Sequence, residues 1–135
     1  MKLFIVIALI AVVVVGYVFL KPSNNDTPAQ QNESISGTSQ FAAIQYDINN
    51  GASLYDVRTA GEFDSGHIEG ATNFPVEKML AGEMPQVDKG KKMYVYCRSG
   101  NRSAQAKAQL QKNGFTDVVD LGAIESVVKM AGKKV

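Results

Sequence analysis

Residues 94–103 read YVYCRSGNRS, an apolar run that ends at the only cysteine of the chain, Cys97. Two arginines, Arg98 and Arg102, bracket the small, turn-forming residues that follow it. Such residues accept tight and positive-φ turns, so several backbone N–H groups can converge on one point. Converging N–H groups, guanidinium groups and a helix N-terminus all stabilise a thiolate. The stretch therefore predicts a strand, an anion-binding loop with a nucleophilic Cys97 at its base, and a helix capped by Ser103.

The sequence around this stretch alternates between strand and helix patterns. Phe41, Ile44 and Ile48 recur at helical spacing, and Thr59 with Glu62 fits a capping box that opens a short helix. We predict strands at residues 53–57, 71–74, 93–96 and 117–121, and further helical segments at 76–81, 103–112 and 123–130. The alternation favours a parallel sheet with helices on both faces. Sites in such sheets form beyond the carboxyl ends of strands, where Cys97 lies.

Length and composition allow one folded domain. The chain has 135 residues and is 45% apolar, which is enough for a single core. One cysteine cannot form an internal disulfide, and one cysteine with one histidine cannot supply a four-ligand zinc site. From residue 41 onward, twelve Lys or Arg oppose eleven Asp or Glu, so the basic surface typical of nucleic acid binding is missing. We expect a monomer without a metal, a cofactor or a nucleic acid partner.

The N-terminal residues predict a membrane segment. Residues 3–20 are uncharged and mostly apolar, and as a helix they would extend about 27 Å, close to the roughly 30 Å core of a bilayer. The apolar part of a cleavable signal is shorter, roughly 7 to 15 residues. An uncleaved anchor over residues 1–21 is therefore favoured over a signal segment.

The side of the membrane on which the domain lies is harder to predict. Lys2 and Lys21 flank the apolar run on both sides, so the positive-inside rule does not separate the two orientations. A short N-terminal tail in the cytoplasm would place the domain outside it, for a bacterium in the periplasm. Secretion to the periplasm after signal cleavage and an anchored domain facing the cytoplasm are the alternatives.

A polar stretch separates this segment from the domain. Residues 22–39 read PSNNDTPAQQNESISGTS and have almost no apolar content, so they predict a flexible linker. Its root-mean-square reach is roughly 25 Å. The domain proper is expected at residues 40–135.

Several motifs in the domain, taken in order, resemble the single-domain rhodanese-like sulfurtransferases. They are LYDVR at 54–58, EF at 62–63, GHIEGA at 66–71, NFP at 73–75 and YCRSGNRS at 96–103. The resemblance extends over residues 41–130. It implies an α/β fold with a central, mostly parallel five-stranded sheet flanked by helices.

The resemblance also implies a thiosulfate sulfurtransferase of the rhodanese type. Cys97 would take the outer sulfur of thiosulfate, release sulfite and carry a persulfide until cyanide or a thiol removes it. Arg98 and Arg102 would bind the sulfonate end of the donor. The loop that cradles the persulfide and binds the substrate would consist of Arg98, Ser99, Gly100, Asn101, Arg102 and Ser103.

Four upstream residues are interpreted as structural support. Asp56 and Arg58 lie at a strand end, where an ion pair with a neighbour such as Glu62 would fix the loop geometry. His67 belongs to a turn motif, and a thiolate that its loop has already ionised needs no histidine base. We therefore expect these residues to hold the site rather than to react.

Two positions depart from the family pattern. Members often continue with a Gly-Gly pair and a Trp four residues later, at the mouth of the site. Here Ala123 replaces the second Gly and Val127 stands in place of the Trp. These replacements predict a smaller and less aromatic rim.

Two other functions stay open. Cysteine-dependent phosphatases and arsenate reductases also use a cysteine in an anion-binding loop, but the phosphatase signature has an Arg six positions after the cysteine. Here Ser103 stands at that position and Arg102 comes one residue earlier. A membrane-tethered carrier or binding module, which hands its persulfide to a protein partner, is the second alternative.

Overall fold

The computed structural model describes residues 33–130 and 132–135. In chain order the elements are α1 (Glu33–Asn49), β1 (Ser53–Asp56), α2 (Ala60–Asp64), β2 (Thr72–Asn73), α3 (Val76–Leu80), β3 (Met93–Cys97), α4 (Asn101–Lys112), β4 (Val118–Ala123) and α5 (Ile124–Lys129). Helices and strands alternate throughout, as the sequence pattern predicts.

The strands form one sheet in the order β2-β1-β3-β4, and every neighbouring pair is parallel. The predicted parallel sheet is confirmed, but the expected count of five strands is wrong, because the residues that the structure describes form four. The described residues also form an isolated antiparallel bridge, between Ile68 and Lys134. Backbone hydrogen bonds of 2.8 Å run both ways between His67 and Val135 beside it. The C-terminal residues therefore close on the turn at residues 66–69 instead of extending the sheet.

The inner strand β3 is covered on both faces. Met93, Val95 and Cys97 belong to an apolar cluster with residues of α3 and α4. Tyr94 and Tyr96 belong to a second cluster, with residues of α1 and α5. All five residues of β3 are buried, as expected for an inner strand of a parallel sheet with helices on both sides. This packing confirms the predicted layers and leaves the carboxyl end of β3 as the place where a loop can form a site.

Helix α1 is longer than its pattern predicts. It begins at Glu33, within the stretch assigned to the linker, and ends at Asn49. Ile44 is buried, and Phe41 and Ile48 pack against the same cluster, so the predicted apolar face is confirmed. Once such a face is docked, each added helical residue gains a hydrogen bond without further nucleation. This cooperativity accounts for a helix that continues into polar sequence.

The predicted anchor or signal at residues 1–21, and the linker up to residue 32, lie outside the described residues. Within the ranges that the structure does describe, no helix combines the length and the apolar character needed to cross a bilayer.

Candidate active site

Cys97 is the last residue of β3 and the base of a short loop that leads into α4. Its side chain is fully buried, with 0% exposure. The backbone N–H of Gly100 donates a hydrogen bond to its sulfur at 3.1 Å. The loop thus curls back over the cysteine, as the sequence predicts.

Gly100 is the N-cap of α4 and has φ of 97°, in the left-handed region. A side chain there would be strained, because a Cβ crowds the backbone at positive φ. A Cβ on Gly100 would lie 3.7 Å from the Cα of Gly122 on β4, an ordinary contact distance, so the conformation and not the space excludes a side chain. Glycine is therefore required by the conformation that aims the Gly100 N–H at the sulfur.

A bulge in β4 brings Gly122 to this position. Val95 pairs with Asp120 and Tyr96 with Gly122, so β4 has one extra residue, Leu121, opposite this step of β3. The Asp120 carboxylate accepts a hydrogen bond from the Gly122 N–H at 2.8 Å. Bulges of this kind redirect a strand next to functional sites.

Ser103 is not the helix cap that the sequence predicts. Because Gly100 takes the left-handed conformation, α4 begins at Asn101, and Ser103 becomes its third residue. The side chain is fully buried. Its hydroxyl donates to the Gly100 carbonyl at 2.9 Å and so ties the loop to the first turn of the helix.

The environment of Cys97 favours its thiolate. Burial alone would raise the pKa of the thiol, but the polar groups around the sulfur outweigh it, and the pKa lies below its ordinary value. The lowering comes from Ser103 and from the N–H groups of Ser99 and Gly100. The N-terminus of α4 contributes in the same direction. The expected activation of Cys97 thus comes chiefly from the loop backbone and Ser103.

The two loop arginines have different environments. Arg98 is exposed, and its guanidinium forms no ion pair within the part of the chain that the structure describes. Arg102 forms a two-pronged ion pair with Glu62, with Nη1–Oε2 at 2.7 Å and Nη2–Oε1 at 2.8 Å. Glu62, the neighbour suggested for the ion pair at the end of β1, pairs with Arg102 instead, which occupies both of its carboxylate oxygens.

Glu62 is fixed from its own helix as well. The predicted capping box is confirmed: the Thr59 hydroxyl accepts from the Glu62 N–H, and Glu62 Oε2 accepts from the Thr59 N–H at 3.2 Å. Arg102, with help from Thr59, lowers the pKa of Glu62 to about 2. Glu62 is therefore a charged group that joins α2 to the cysteine loop.

Asp56 and Arg58 form a separate, buried ion pair at the end of β1. The Arg58 Nε–H donates to both carboxylate oxygens of Asp56 at 2.9 Å. Arg58 also donates to the Gly66 carbonyl at 2.8 Å, and Asn73 donates its amide to the Asp56 and Arg58 carbonyls. The pair thus fastens β1, β2 and the 66–69 turn together.

His67 is engaged within that turn. Its ring stacks on Phe63 with centroids 3.7 Å apart, and its Nδ1 lies 3.1 Å from the Phe63 carbonyl, which requires the proton on Nδ1. The sequence did not single out Tyr96 as a partner of this turn, yet its hydroxyl accepts from the Ile68 N–H at 3.0 Å. These contacts stabilise the turn.

The prediction that Val127 lies at the rim of the site is wrong. Val127 is fully buried in the cluster beneath α1, so it does not line the mouth of the loop. Ala123 is partly buried and pairs with Cys97 across the sheet. Asn101 is exposed and accepts from the Gln105 amide at 2.7 Å. Among residues 33–130 and 132–135, no group of three His, Cys, Asp or Glu side chains is placed to hold a metal ion.

A parallel sheet that ends in a cysteine, held by a left-handed glycine and a helix N-terminus, defines α/β domains with a cysteine-centred anion loop. Within that class, the chain belongs to the rhodanese-like domain family, whose model matches residues 40–128. This match confirms the resemblance noted from the motifs.

Several known proteins are similar to the chain. It is 40% identical over 70 residues to the uncharacterized protein YqhL of Bacillus subtilis, covering 52% of this chain and 55% of YqhL. It is 35% identical over 75 residues to the thiosulfate sulfurtransferase PspE of Escherichia coli, covering 53% of this chain and 70% of PspE. A solved rhodanese from E. coli, determined with anions, superposes with a TM-score of 0.53 at 32% identity, covering 63% of this chain and 98% of the rhodanese.

Proposed function

We propose that the chain is a sulfurtransferase in which Cys97 carries sulfane sulfur from thiosulfate or a similar donor to cyanide or a thiol. The observation that carries the proposal is the 3.1 Å hydrogen bond from the Gly100 N–H to the Cys97 sulfur. This bond directs a backbone N–H, which stabilises negative charge, at the Cys97 sulfur. The same sulfur must be ionised to attack the donor. The similarity to PspE, named as a thiosulfate sulfurtransferase, supports the choice of donor.

The first half-reaction loads the cysteine. The thiolate of Cys97 attacks the sulfane sulfur of thiosulfate and forms a new S–S bond. The bond between the sulfane sulfur and the sulfonate sulfur breaks, and sulfite leaves with its electron pair. The negative charge then lies on the outer sulfur of a persulfide, where loop N–H groups can hold it.

The second half-reaction unloads it. The carbon of cyanide, or a thiolate, attacks the outer sulfur, and the S–S bond breaks with its electron pair returning to Cys97. Thiocyanate or a new persulfide leaves, and the thiolate is regenerated. Covalent catalysis of this kind divides one transfer into two displacements.

The arginines take different roles in this mechanism. Arg98 is exposed and free of ion pairs within the described residues, so it is the guanidinium available to bind the sulfonate. Arg102 is held by Glu62 and acts chiefly through its charge. Asp56, Arg58 and His67 hold the surrounding turns and take no part in bond making.

The test is direct. Incubation with thiosulfate, removal of the excess and intact mass measurement should show a gain of about 32 Da, one sulfur atom. Cys97→Ala should gain nothing. Failure of the wild-type protein to gain sulfur from any sulfane donor would remove the proposal. Steady-state production of thiocyanate then separates an enzyme from a carrier, because a carrier loads once and turns over only with its partner.

The location outside the cytoplasm remains a prediction. Protease treatment of intact cells, compared with cells whose outer barrier has been opened, would show on which side of the membrane residues 40–135 lie.

A further inference from the structure

Residues 133–135, here called the closing segment, run antiparallel to the turn that contains His67. His67 and Val135 exchange backbone hydrogen bonds of 2.8 Å in both directions, and the Glu69 N–H donates to the Lys133 carbonyl at 2.7 Å. All three side chains of the segment are exposed, and the ion pair of Lys133 with Glu69 is exposed as well. Backbone hydrogen bonds therefore hold the segment, and its side chains add little.

The closing segment starts from a fixed point. Gly132 is buried, and a Cβ there would lie 2.8 Å from the Val127 carbonyl oxygen and 3.1 Å from the ring of Phe41. The backbone is thus held tightly by α1 and α5 just before the segment. Beyond that point, three backbone hydrogen bonds are opposed by the entropy cost of ordering three residues. The docked and released states of the segment are therefore close in free energy, so the loss of one bond shifts the balance between them.

The opposite edge of the same turn contacts the cysteine strand. The backbone of Ile68 faces away from the closing segment, as alternate residues do beside an antiparallel partner, and its N–H donates to the Tyr96 hydroxyl at 3.0 Å. Tyr96 is fully buried and directly precedes Cys97 on β3. The turn therefore lies between the closing segment and the side chain that precedes the nucleophile.

The activation of Cys97 depends on the placement of this strand end. Its sulfur accepts from the Gly100 N–H at 3.1 Å, and a hydrogen bond weakens steeply as its angle departs from the preferred range. Cys97 and Tyr96 are neighbours on one strand, so a displaced Tyr96 side chain shifts the sulfur relative to the loop. When the closing segment is released, the turn loses its bonds to the segment and the Tyr96 hydroxyl loses a fixed donor.

We propose that the closing segment is a positioning element for Cys97: docked on the turn, it holds Ile68 against the Tyr96 hydroxyl and so fixes the end of β3 at the base of the cysteine loop. Full reactivity of Cys97 then requires the docked segment, which acts through Tyr96 and not on the sulfur itself. The effect on sulfur transfer rests on the proposed function, whereas the effect on the thiolate does not.

The variant Val135→Pro tests the docking, because proline has no N–H to donate to the His67 carbonyl. Thiolate absorbance against pH, with the same protein carrying Cys97→Ser as the blank, measures the pKa of Cys97 without any donor. Val135→Pro should raise that pKa and lower the thiolate fraction about fivefold at pH values below it, as for the loss of one hydrogen bond. Arg98 and Arg102, the charged groups of the loop, are the same in both proteins, so the shift reports the hydrogen bonds at the sulfur.

Lys134→Pro is the matched control. Within the described residues the Lys134 N–H donates to no backbone acceptor, so the same substitution leaves the bonds between the segment and the turn in place. Its titration should match that of the wild-type protein. If the segment has only a structural role, Val135→Pro will lower the melting temperature and leave the pKa of Cys97 unchanged. That result would overturn the proposal.

Tyr96→Phe tests the relay, because it removes the hydroxyl that accepts from Ile68. It should raise the pKa of Cys97, as Val135→Pro does. The double variant should show little further change, because both substitutions act through one contact. Shifts that add in full would show that the closing segment acts by another route and would refute the relay.

Loading with thiosulfate links the closing segment to the proposed function. Below the pKa of Cys97, Val135→Pro should gain its sulfur about fivefold more slowly than the wild-type protein, and above the pKa of both proteins the two rates should converge. Equal rates at every pH would contradict the positioning role. If the wild-type cysteine takes no sulfur from any donor, the sulfurtransferase function fails, and the titration still decides whether the closing segment positions Cys97.

Discussion

The backbone N–H of Gly100 points at the sulfur of Cys97 from three residues further along the chain, at 3.1 Å. This contact depends on a backbone conformation as much as on chemistry, because Gly100 has φ of 97° and begins α4. The same glycine therefore shapes the loop, starts the helix and stabilises the thiolate. Each of these roles can be tested by changing one residue.

Gly100→Ala should destabilise the domain by about 1 to 2 kcal/mol, the cost of a Cβ in the left-handed region. It should also raise the pKa of Cys97, because relief of the strain turns the N–H away from the sulfur. Denaturant unfolding and thiolate titration measure the two effects. Gly61→Ala is the control: Gly61 lies within α2, has no positive φ and has open space around it, so stability should be equal or slightly higher. Equal behaviour of the two variants would mean that the conformation of Gly100 does not matter.

Arg98→Gln should raise the KM for thiosulfate about tenfold, the loss expected for one charge-assisted contact. The melting temperature should not change, because the side chain is exposed. Lys112→Gln removes the same charge from the exposed far end of α4, about 16 Å from the helix start, and should leave KM unchanged. A normal KM in Arg98→Gln would show that the sulfonate binds elsewhere.

Stability should depend on pH through Cys97. Its pKa is lower in the folded protein than in the unfolded chain, where it is near the ordinary value of about 8.5. The thiolate therefore stabilises the fold fully above the unfolded pKa, and this contribution is lost as the pH falls through the lowered, folded pKa. The difference in unfolding free energy between wild type and Cys97→Ser should grow with pH across that window and then level off. A difference that stays flat would contradict the lowered pKa.

Asp56→Ala should destabilise the domain by about 3 to 5 kcal/mol, because it leaves the Arg58 guanidinium buried without its partner. Glu69→Ala breaks an exposed ion pair with Lys133 and should cost less than about 1 kcal/mol. Chemical denaturation of the two variants gives the comparison. Similar small losses in both would show that the buried pair does not fasten β1 to its neighbours.

Local patterns were sufficient for much of the fold. The apolar run before Cys97 predicts a strand, and all of β3 is buried. Thr59 and Glu62 predict a capping box from residues three apart, and both of its hydrogen bonds form. Such features depend on neighbours in the chain, so the sequence contains what is needed to find them.

Other features depend on residues far apart in the chain. The ion pair between Glu62 and Arg102 joins positions 40 residues apart, and no local pattern distinguishes it from a pair with Arg58. Ser103 was misread as a cap because the left-handed turn at Gly100 starts α4 two residues earlier. Val127 is buried rather than at the rim because α1 covers it. In each case the sequence allowed more than one arrangement, and tertiary packing determined which one forms.

The burial of Cys97 also limits the size of the reagents that can reach its sulfur. Solvent does not reach its side chain in the folded domain, so a reagent reaches the sulfur only when the loop opens enough to admit it. Bulky maleimides and aromatic disulfides should label no cysteine in the native protein and one cysteine after unfolding. Small oxidants need a smaller opening of the loop, so a peroxide should react with this thiolate faster than any large electrophile does.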